Sequence, residues 1–232
     1  MKPLILVIPE KTDEETFAVA KAWEVLGGKV LKLGRFWEPP KLDEYHVRVY
    51  GNDTFCNVLA QLLQLNLTAP EDALLAKFDE HYTKRWIGLS FLGQADGLVF
   101  PKFVKPAIPK LFQGKVFYTL GELEETTNGL SEDAEVLVSE VVAIEKEMRA
   151  FVLNGEVQTM AIYEGRKCVL PSDFVQEFAD SYSSVLPVTY VVDFGYNAEI
   201  GWFVLELNAV WGAGLNGCDA EKVAKCLEYA SS

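Results

Sequence analysis

Residues 188–208 read VTYVVDFGYNAEIGWFVLELN, and the fold turns on how this stretch is read. Val188 to Phe194 and Gly201 to Asn208 are rich in β-branched and aromatic residues, the composition of strands. The segment Gly195-Tyr196-Asn197-Ala198-Glu199-Ile200 lies between them and predicts a hairpin. With the turn centred near Glu199, Asp193 and Glu206 fall opposite each other and can share a face. Glu206 and Asn208 are two apart on one strand and point the same way. Two carboxylates and an amide oxygen suit a hard cation such as Mg²⁺, which keeps several waters and takes further ligands from phosphates. Taken alone, the pattern is equally that of a hairpin flanked by turn-favouring Asp and Asn.

Upstream, Pro101 to Lys115 (PKFVKPAIPKLFQGK) holds Lys102, Lys105, Lys110 and Lys115 and no acidic residue. The whole chain carries a formal net charge of -13, so this concentration stands out. On a strand and the loop after it, four ammonium groups would neutralise a triphosphate; the plainer reading is a solvated basic loop. Arg85, beside Lys84, adds positive charge. Between the two stretches, Val136 to Leu153 (VLVSEVVAIEKEMRAFVL) predicts a buried strand, a short connection and a second strand. Backbone groups of Val141 and Val142 can pair with an adenine edge if that connection is an exposed hinge strand. Glu147 and Arg149 alternate with Met148 and Ala150, so the polar pair faces one side and the apolar pair a core.

The rest of the chain sets bounds. Its 232 residues, half of them apolar and 12% aromatic, suffice for one large domain or two small ones. A pI near 4.7 opposes nucleic acid and anionic lipid as partners. Cys56, Cys168, Cys218 and Cys226 form no CxxC pair, which reads as reduced thiols in a cytoplasmic protein. The apolar run Leu4 to Ile8 is too short for a signal peptide, and no stretch has the roughly 20 apolar residues of a membrane span. A β-α-β opening is expected: a strand over 3–8, a helix capped by Thr12 or Asp13, and a strand over Val30 to Leu33. His46 to Tyr50 follows as a strand, then a helix from Thr54 to Leu65 with Asp53 or Thr54 as cap. From Pro70 a helical stretch is expected to pass through Lys84, Arg85 and Trp86. Further strands are expected over Val116–Thr119 and Val157–Tyr163, and helices over 172–184 and from Asp219 through Ala230.

In order, these pieces resemble the ATP-grasp superfamily, with D-alanine-D-alanine ligase and glutathione synthetase as its larger relatives. "FVKP" supplies a phosphate lysine, "SEVV" a hinge, "EKEMRAFV" a ribose acid, and "VVDFG" with "VLELNAVWGAGL" the metal set. The step of seven from Glu140 to Glu147 and of thirteen from Asp193 to Glu206 look like those of the D-alanine ligases. The resemblance runs from about residue 78 to 217, and the short form looks like a minimal bacterial and phage clade, the arginine/two-lysine clade. It implies an α+β ATP-grasp fold: two α+β subdomains enclosing the ATP cleft over 76–232, preceded by a small α/β N-terminal domain over 1–75. It further implies that Arg85, Lys105 and Lys115 bind phosphates, Glu140, Val141 and Val142 frame adenine, Glu147 holds the ribose, and Asp193, Glu206 and Asn208 coordinate Mg²⁺, with Mn²⁺ as a substitute. Many members carry an arginine two residues before the metal aspartate, where this chain has Val191; Arg149 is the proposed replacement, sharing the catalytic role with Lys105.

The implied reaction is amide or peptide bond formation by an ATP- and Mg-dependent carboxylate-amine ligase through an acyl phosphate, on small-molecule, peptide or protein-tail substrates. A non-catalytic ATP-binding module and an ATP-dependent phosphotransferase are the alternatives; a metal-dependent hydrolase fits the lysine cluster poorly. Asp193→Asn is expected to abolish turnover and spare the fold. The glycine-rich Ala209 to Cys218 (AVWGAGLNGC) is expected to form a substrate wall, since glycines let backbone N–H groups approach an anion. The N-terminal domain, Gly51 to Thr54 included, is expected to close the other side.

Overall fold

The structure is a computed structural model that describes residues 2–108 and 111–232. Its elements are β1 (Leu4–Pro9), α1 (Glu14–Val25), β2 (Lys29–Leu33), β3 (His46–Val49), α2 (Asp53–Leu63), α3 (Glu80–Thr83), β4 (Ile87–Phe91), β5 (Lys102–Pro106) and β6 (Lys115–Phe117). There follow α4 (Leu120–Thr126), β7 (Glu135–Ser139), β8 (Lys146–Leu153), β9 (Glu156–Glu164), α5 (Ser172–Ser181), β10 (Thr189–Asn197), β11 (Gly201–Asn208) and α6 (Ala220–Leu227). Short 3-10 helices occupy Asp72–Lys77, Leu92–Gly97 and Val210–Gly212. No described helix is long and apolar enough to cross a membrane.

The chain forms two compact units, one made of Met1–Pro70, Lys146–Phe194 and Leu207–Ser232, the other of Glu71–Glu145 and Gly195–Glu206. In the first, β2 and β3 lie parallel on either side of β1, as the β-α-β reading expects. Asp13 caps α1 by accepting from Thr16 N–H at 2.7 Å. Asn52, one residue before Asp53 and two before Thr54, accepts from Phe55 N–H at 3.0 Å and starts α2; its extended backbone and short amide suit that place. Leu6, Ile8, Val19, Trp23 and Phe55 share one core with Phe151, Val191, Val210, Val223 and Leu227. The expected boundary at residue 75 follows chain order, whereas the packing joins residues from both ends of the chain.

The second unit holds an antiparallel sheet in the order β4-β7-β5-β6, with Val104, Phe117, Leu123, Val136 and Val138 in its core. Here the helical stretch expected through Lys84, Arg85 and Trp86 is corrected. The 3-10 turn Asp72–Lys77 and the single turn α3 are all the helix there is, and Lys84 closes α3 in the left-handed region at φ 52. Arg85 and Trp86 lead instead into β4, whose backbone groups pair with β7 from Ile87↔Ser139 to Phe91↔Glu135. That long-range ladder supplies the hydrogen bonds a continued helix would have supplied locally.

The hairpin is present but tighter than expected. β10 runs on to Asn197, and only Ala198, Glu199 and Ile200 connect it to β11, with Gly201 at φ +81 and Asn197 Oδ1 accepting from Glu199 N–H at 2.9 Å. This is the three-residue loop with a left-handed closing glycine. β10 and β11 belong to a sheet ordered β11-β10-β8-β9.

Candidate active site

In the first unit, β8 alternates as predicted: Met148 and Ala150 are fully buried, while Arg149 and Glu147 face the other way. The Arg149 guanidinium grips Asp193 along one edge, Nε to Oδ1 at 2.8 Å and Nη2 to Oδ2 at 2.7 Å. Asn208 donates from Nδ2 to Asp193 Oδ2 at 3.2 Å. Asp193 is 1% exposed, so its charge is tolerated because it is paired and hydrogen-bonded. Arg149 also lies 5.8 Å from the Tyr163 ring centre, and the Tyr163 hydroxyl donates to Glu147. Burial and that carboxylate together hold the Tyr163 phenol well above its ordinary range.

The same guanidinium donates from Nη1 to the Gly214 carbonyl at 2.9 Å, which ties Asp193 to the glycine-rich segment. In that segment two main-chain N–H groups bind a carboxylate of the chain itself. Glu15, in the first turn of α1, accepts from Leu215 N–H at 2.9 Å and from Asn216 N–H at 3.0 Å. Tyr50 donates to the Ala213 carbonyl at 2.9 Å, and Gly51 N–H to the Trp211 carbonyl at 3.1 Å. Gly51 to Thr54 therefore abuts the 210–212 turn directly; a Cβ on Gly212 would stand 3.3 Å from Asp53 Oδ1.

In the second unit Arg85 is 7% exposed. Its Nη1 donates to the carbonyls of Thr83 and Val204, each at 2.9 Å, and its guanidinium lies 5.2 Å from the Phe203 ring centre. Desolvation lowers its pKa to about 10. Lys105, on β5, pairs with Asp72 at 3.0 Å, and Gly114 closes on it so tightly that a Cβ there would meet Lys105 Cβ at 2.6 Å. Lys102 lies 5.4 Å from the Trp86 ring centre and Lys115 is exposed over Phe117. Lys110 and Pro109 lie outside the described residues.

Glu140 accepts from Trp86 N–H through Oε2 at 3.0 Å, and its own N–H donates to the Trp86 carbonyl at 3.1 Å. Residues 140–145 form a coil rather than the strand expected at the hinge, with Val141 exposed and Val142 half-buried. Their anchors are Glu145 N–H to the Tyr196 carbonyl at 2.8 Å and Asn197 Nδ2 to the Ala143 carbonyl at 3.2 Å.

The structure thus brings Asp193, Asn208 and Arg149 together, with Glu147 joined through Tyr163; Glu206 precedes Asn208 by two on β11, so the pleat turns both to one side. Among the described residues no group of three or more His, Cys, Asp and Glu is placed to hold a metal, so a metal here relies on the Asn208 amide. The donor types, carboxylate and amide, are those that suit a hard divalent ion, and Asn208 meets Asp193 through its amide nitrogen. Sequence reasoning missed Glu15, Tyr163 and the burial of Arg85. Only Glu15 had a local signal, an acid in the first turn after the Asp13 cap.

A sequence model of the ATP-grasp domain, R2K clade family 2, matches residues 82–226. The fold resembles a RimK-domain ATP-grasp protein from Sphaerobacter thermophilus at 14% identity, covering 97% of this chain and 99% of that one with a TM-score of 0.63. It also resembles the D-alanine-D-alanine ligase of Bacillus anthracis complexed with ATP, at 14% identity, 98% and 96% coverage and a TM-score of 0.56. A third likeness is to the ATP-grasp ligase PsnB complexed with its minimal precursor, at 15% identity, 98% and 99% coverage and a TM-score of 0.59. No curated protein sequence matches the chain.

Proposed function

The chain belongs to the ATP-grasp domain family, R2K clade, and from that premise we propose that it is an ATP- and Mg²⁺-dependent carboxylate-amine ligase. In the proposed reaction a substrate carboxylate attacks the γ-phosphorus of ATP and releases ADP. An amine then attacks the acyl carbon, phosphate departs, and the amine gives up a proton. A divalent ion supplies charge neutralisation at the phosphates when bound, and Asp193, Glu206 and Asn208 are the residues that would hold it.

The observation that carries the reading is Arg85. Its guanidinium is buried, meets no counter-ion among the described residues, and donates from one nitrogen to two carbonyls. A buried cation without a counter-ion is costly, and a phosphate group would supply one. Lys105 and Lys115 would add positive charge, with Lys105 exchanging Asp72 for phosphate. Glu140, Val141 and Val142 would take the adenine, and Glu147 the ribose in place of the Tyr163 hydroxyl. Arg149 and Lys105 would oppose charge on the transferring phosphoryl group, so that positioning and electrostatics perform the catalysis. The substrates are amino-acid or peptide in class, a reading supported by the ligases of similar fold, and the reaction is cytoplasmic.

Calorimetry with a non-hydrolysable ATP analogue and Mg²⁺ tests this: the wild type binds, and Arg85→Ala loses at least tenfold in affinity. Absence of binding by the wild type overturns the proposal. ADP release is then followed across amino acids and short peptides. A second reading, a nucleotide-binding module without chemistry or a phosphotransferase, draws on Val191, which is fully buried in the core. Tight binding with no ADP release would select the module, and a phosphorylated product without an amide the phosphotransferase.

A further inference from the structure

Asp193 presents a conflict. It is the central residue of the proposed metal set, yet it is buried and both its oxygens are engaged by one guanidinium, at 2.8 and 2.7 Å, with Asn208 adding a third donor at 3.2 Å. A divalent cation needs lone pairs of that carboxylate, and it is repelled by a guanidinium held in the same contact shell. A bidentate pair of this kind is also a strong counter-ion for a buried carboxylate. Metal and guanidinium therefore compete for the same oxygens.

We propose that Arg149 is a placeholder cation: in the metal-free protein it neutralises Asp193, and divalent metal binding exchanges it off the carboxylate, turning its guanidinium toward the reacting anion. This rests on the ligase reading above. The geometry provides a place for the displaced group. Arg149 keeps a hydrogen bond from Nη1 to the Gly214 carbonyl at 2.9 Å, and its guanidinium carbon lies 5.8 Å from the Tyr163 ring centre, near enough for a cation–π contact. Gly214 is in turn fixed by its neighbours, since Glu15 binds the N–H groups of Leu215 and Asn216. The arginine is thus held at one nitrogen by a rigid carbonyl while its other two nitrogens grip the carboxylate. A pivot about the Gly214 bond exchanges carboxylate for substrate. Metal loading and arginine availability become one event, so the anion-binding arginine is presented only when the metal is in place.

The probe is Mn²⁺, followed by the loss of its free-ion electron paramagnetic resonance signal, with and without a non-hydrolysable ATP analogue. Without nucleotide, Arg149→Gln is expected to bind Mn²⁺ at least tenfold more tightly than the wild type, because the competing cation is gone. Arg149→Lys, which keeps the charge, is expected to stay within threefold of the wild type. Gln no tighter than wild type, or Lys as tight as Gln, overturns the proposal. A second measurement reads the wild type itself. The Arg149 Nε–H resonance, identified by its absence in Arg149→Lys, should be protected from solvent exchange in the metal-free wild type and exchange at least tenfold faster with Mg²⁺ and the analogue; unchanged protection overturns the exchange. Failure of the two readings is distinguishable. Wild-type binding of Mn²⁺ with the analogue, but no gain in Arg149→Gln, sinks only the placeholder; a gain in Arg149→Gln with no nucleotide-dependent binding sinks only the ligase assignment; no Mn²⁺ binding under any condition sinks both.

Discussion

Removing the Glu15 carboxylate should loosen the 214–216 segment, and the size of the effect follows from two contacts. Glu15 accepts two main-chain hydrogen bonds, at 2.9 and 3.0 Å, in a partly buried setting. Hydrogen bonds to charged groups contribute about 1.5–3 kcal/mol each; with water able to replace part of them at this half-exposed carboxylate, Glu15→Ala should cost about 2–3 kcal/mol. Gly214 offers a check that isolates the mechanism. Its backbone is outside the left-handed region, and a Cβ there would stand 2.8 Å from Glu15 Oε2, with Asn216 Oδ1 next at 3.8 Å. Gly214→Ala in the wild type should therefore cost about 1–3 kcal/mol by overpacking. In the Glu15→Ala background the obstruction is gone and the same change should be nearly neutral. Urea denaturation of the four proteins should give a coupling of about 1–3 kcal/mol, and amide exchange at Leu215 and Asn216 should quicken in Glu15→Ala. Additivity within ~0.5 kcal/mol would refute the clamp.

Asp193→Asn should lower stability by about 3–5 kcal/mol, because it leaves the Arg149 guanidinium buried without its counter-ion; thermal melts of this variant and of Asp193→Asn with Arg149→Met, which should recover part of the loss, check it. An unchanged melt would instead support the expectation that Asp193→Asn spares the fold. Gly114→Ala, which places a Cβ 2.6 Å from Lys105 Cβ, should push the loop off β5, cost about 1–3 kcal/mol and weaken nucleotide-analogue binding by calorimetry. Burial raises the thiols of Cys218 and Cys226 to about 12, so between pH 9 and 12 the unfolded chain has lost these protons while the folded one retains them. Stability from this source is complete below pH 9 and falls as pH rises, measured as a declining urea midpoint; at pH 8 an aromatic disulfide reagent should label Cys168, the exposed thiol, before the other three.

What was legible in the sequence is what short-range chemistry writes there. The period-2 pattern of Glu147 to Ala150 gives the correct faces of β8 because the alternation is a property of the strand alone. The caps of α1 and α6 were legible for the same reason, as were the two strands of the hairpin. The misses share a different cause. Arg85 and Trp86 sit after four residues that do form a helical turn, and only the pairing of β4 with β7, some fifty positions later, turns them into the approach to a strand. The glycine-rich segment was read as a substrate wall, whereas two of its N–H groups are taken by Glu15, 200 positions earlier in the chain. Nothing local distinguishes that glutamate from Glu14 beside it, which is exposed. The Arg149–Asp193 pair spans 44 positions, and each partner was assigned a separate task from its motif. Their joining is what changes the functional argument, because a motif specifies which atoms can bind a ligand, whereas the fold decides what those atoms bind before the ligand comes.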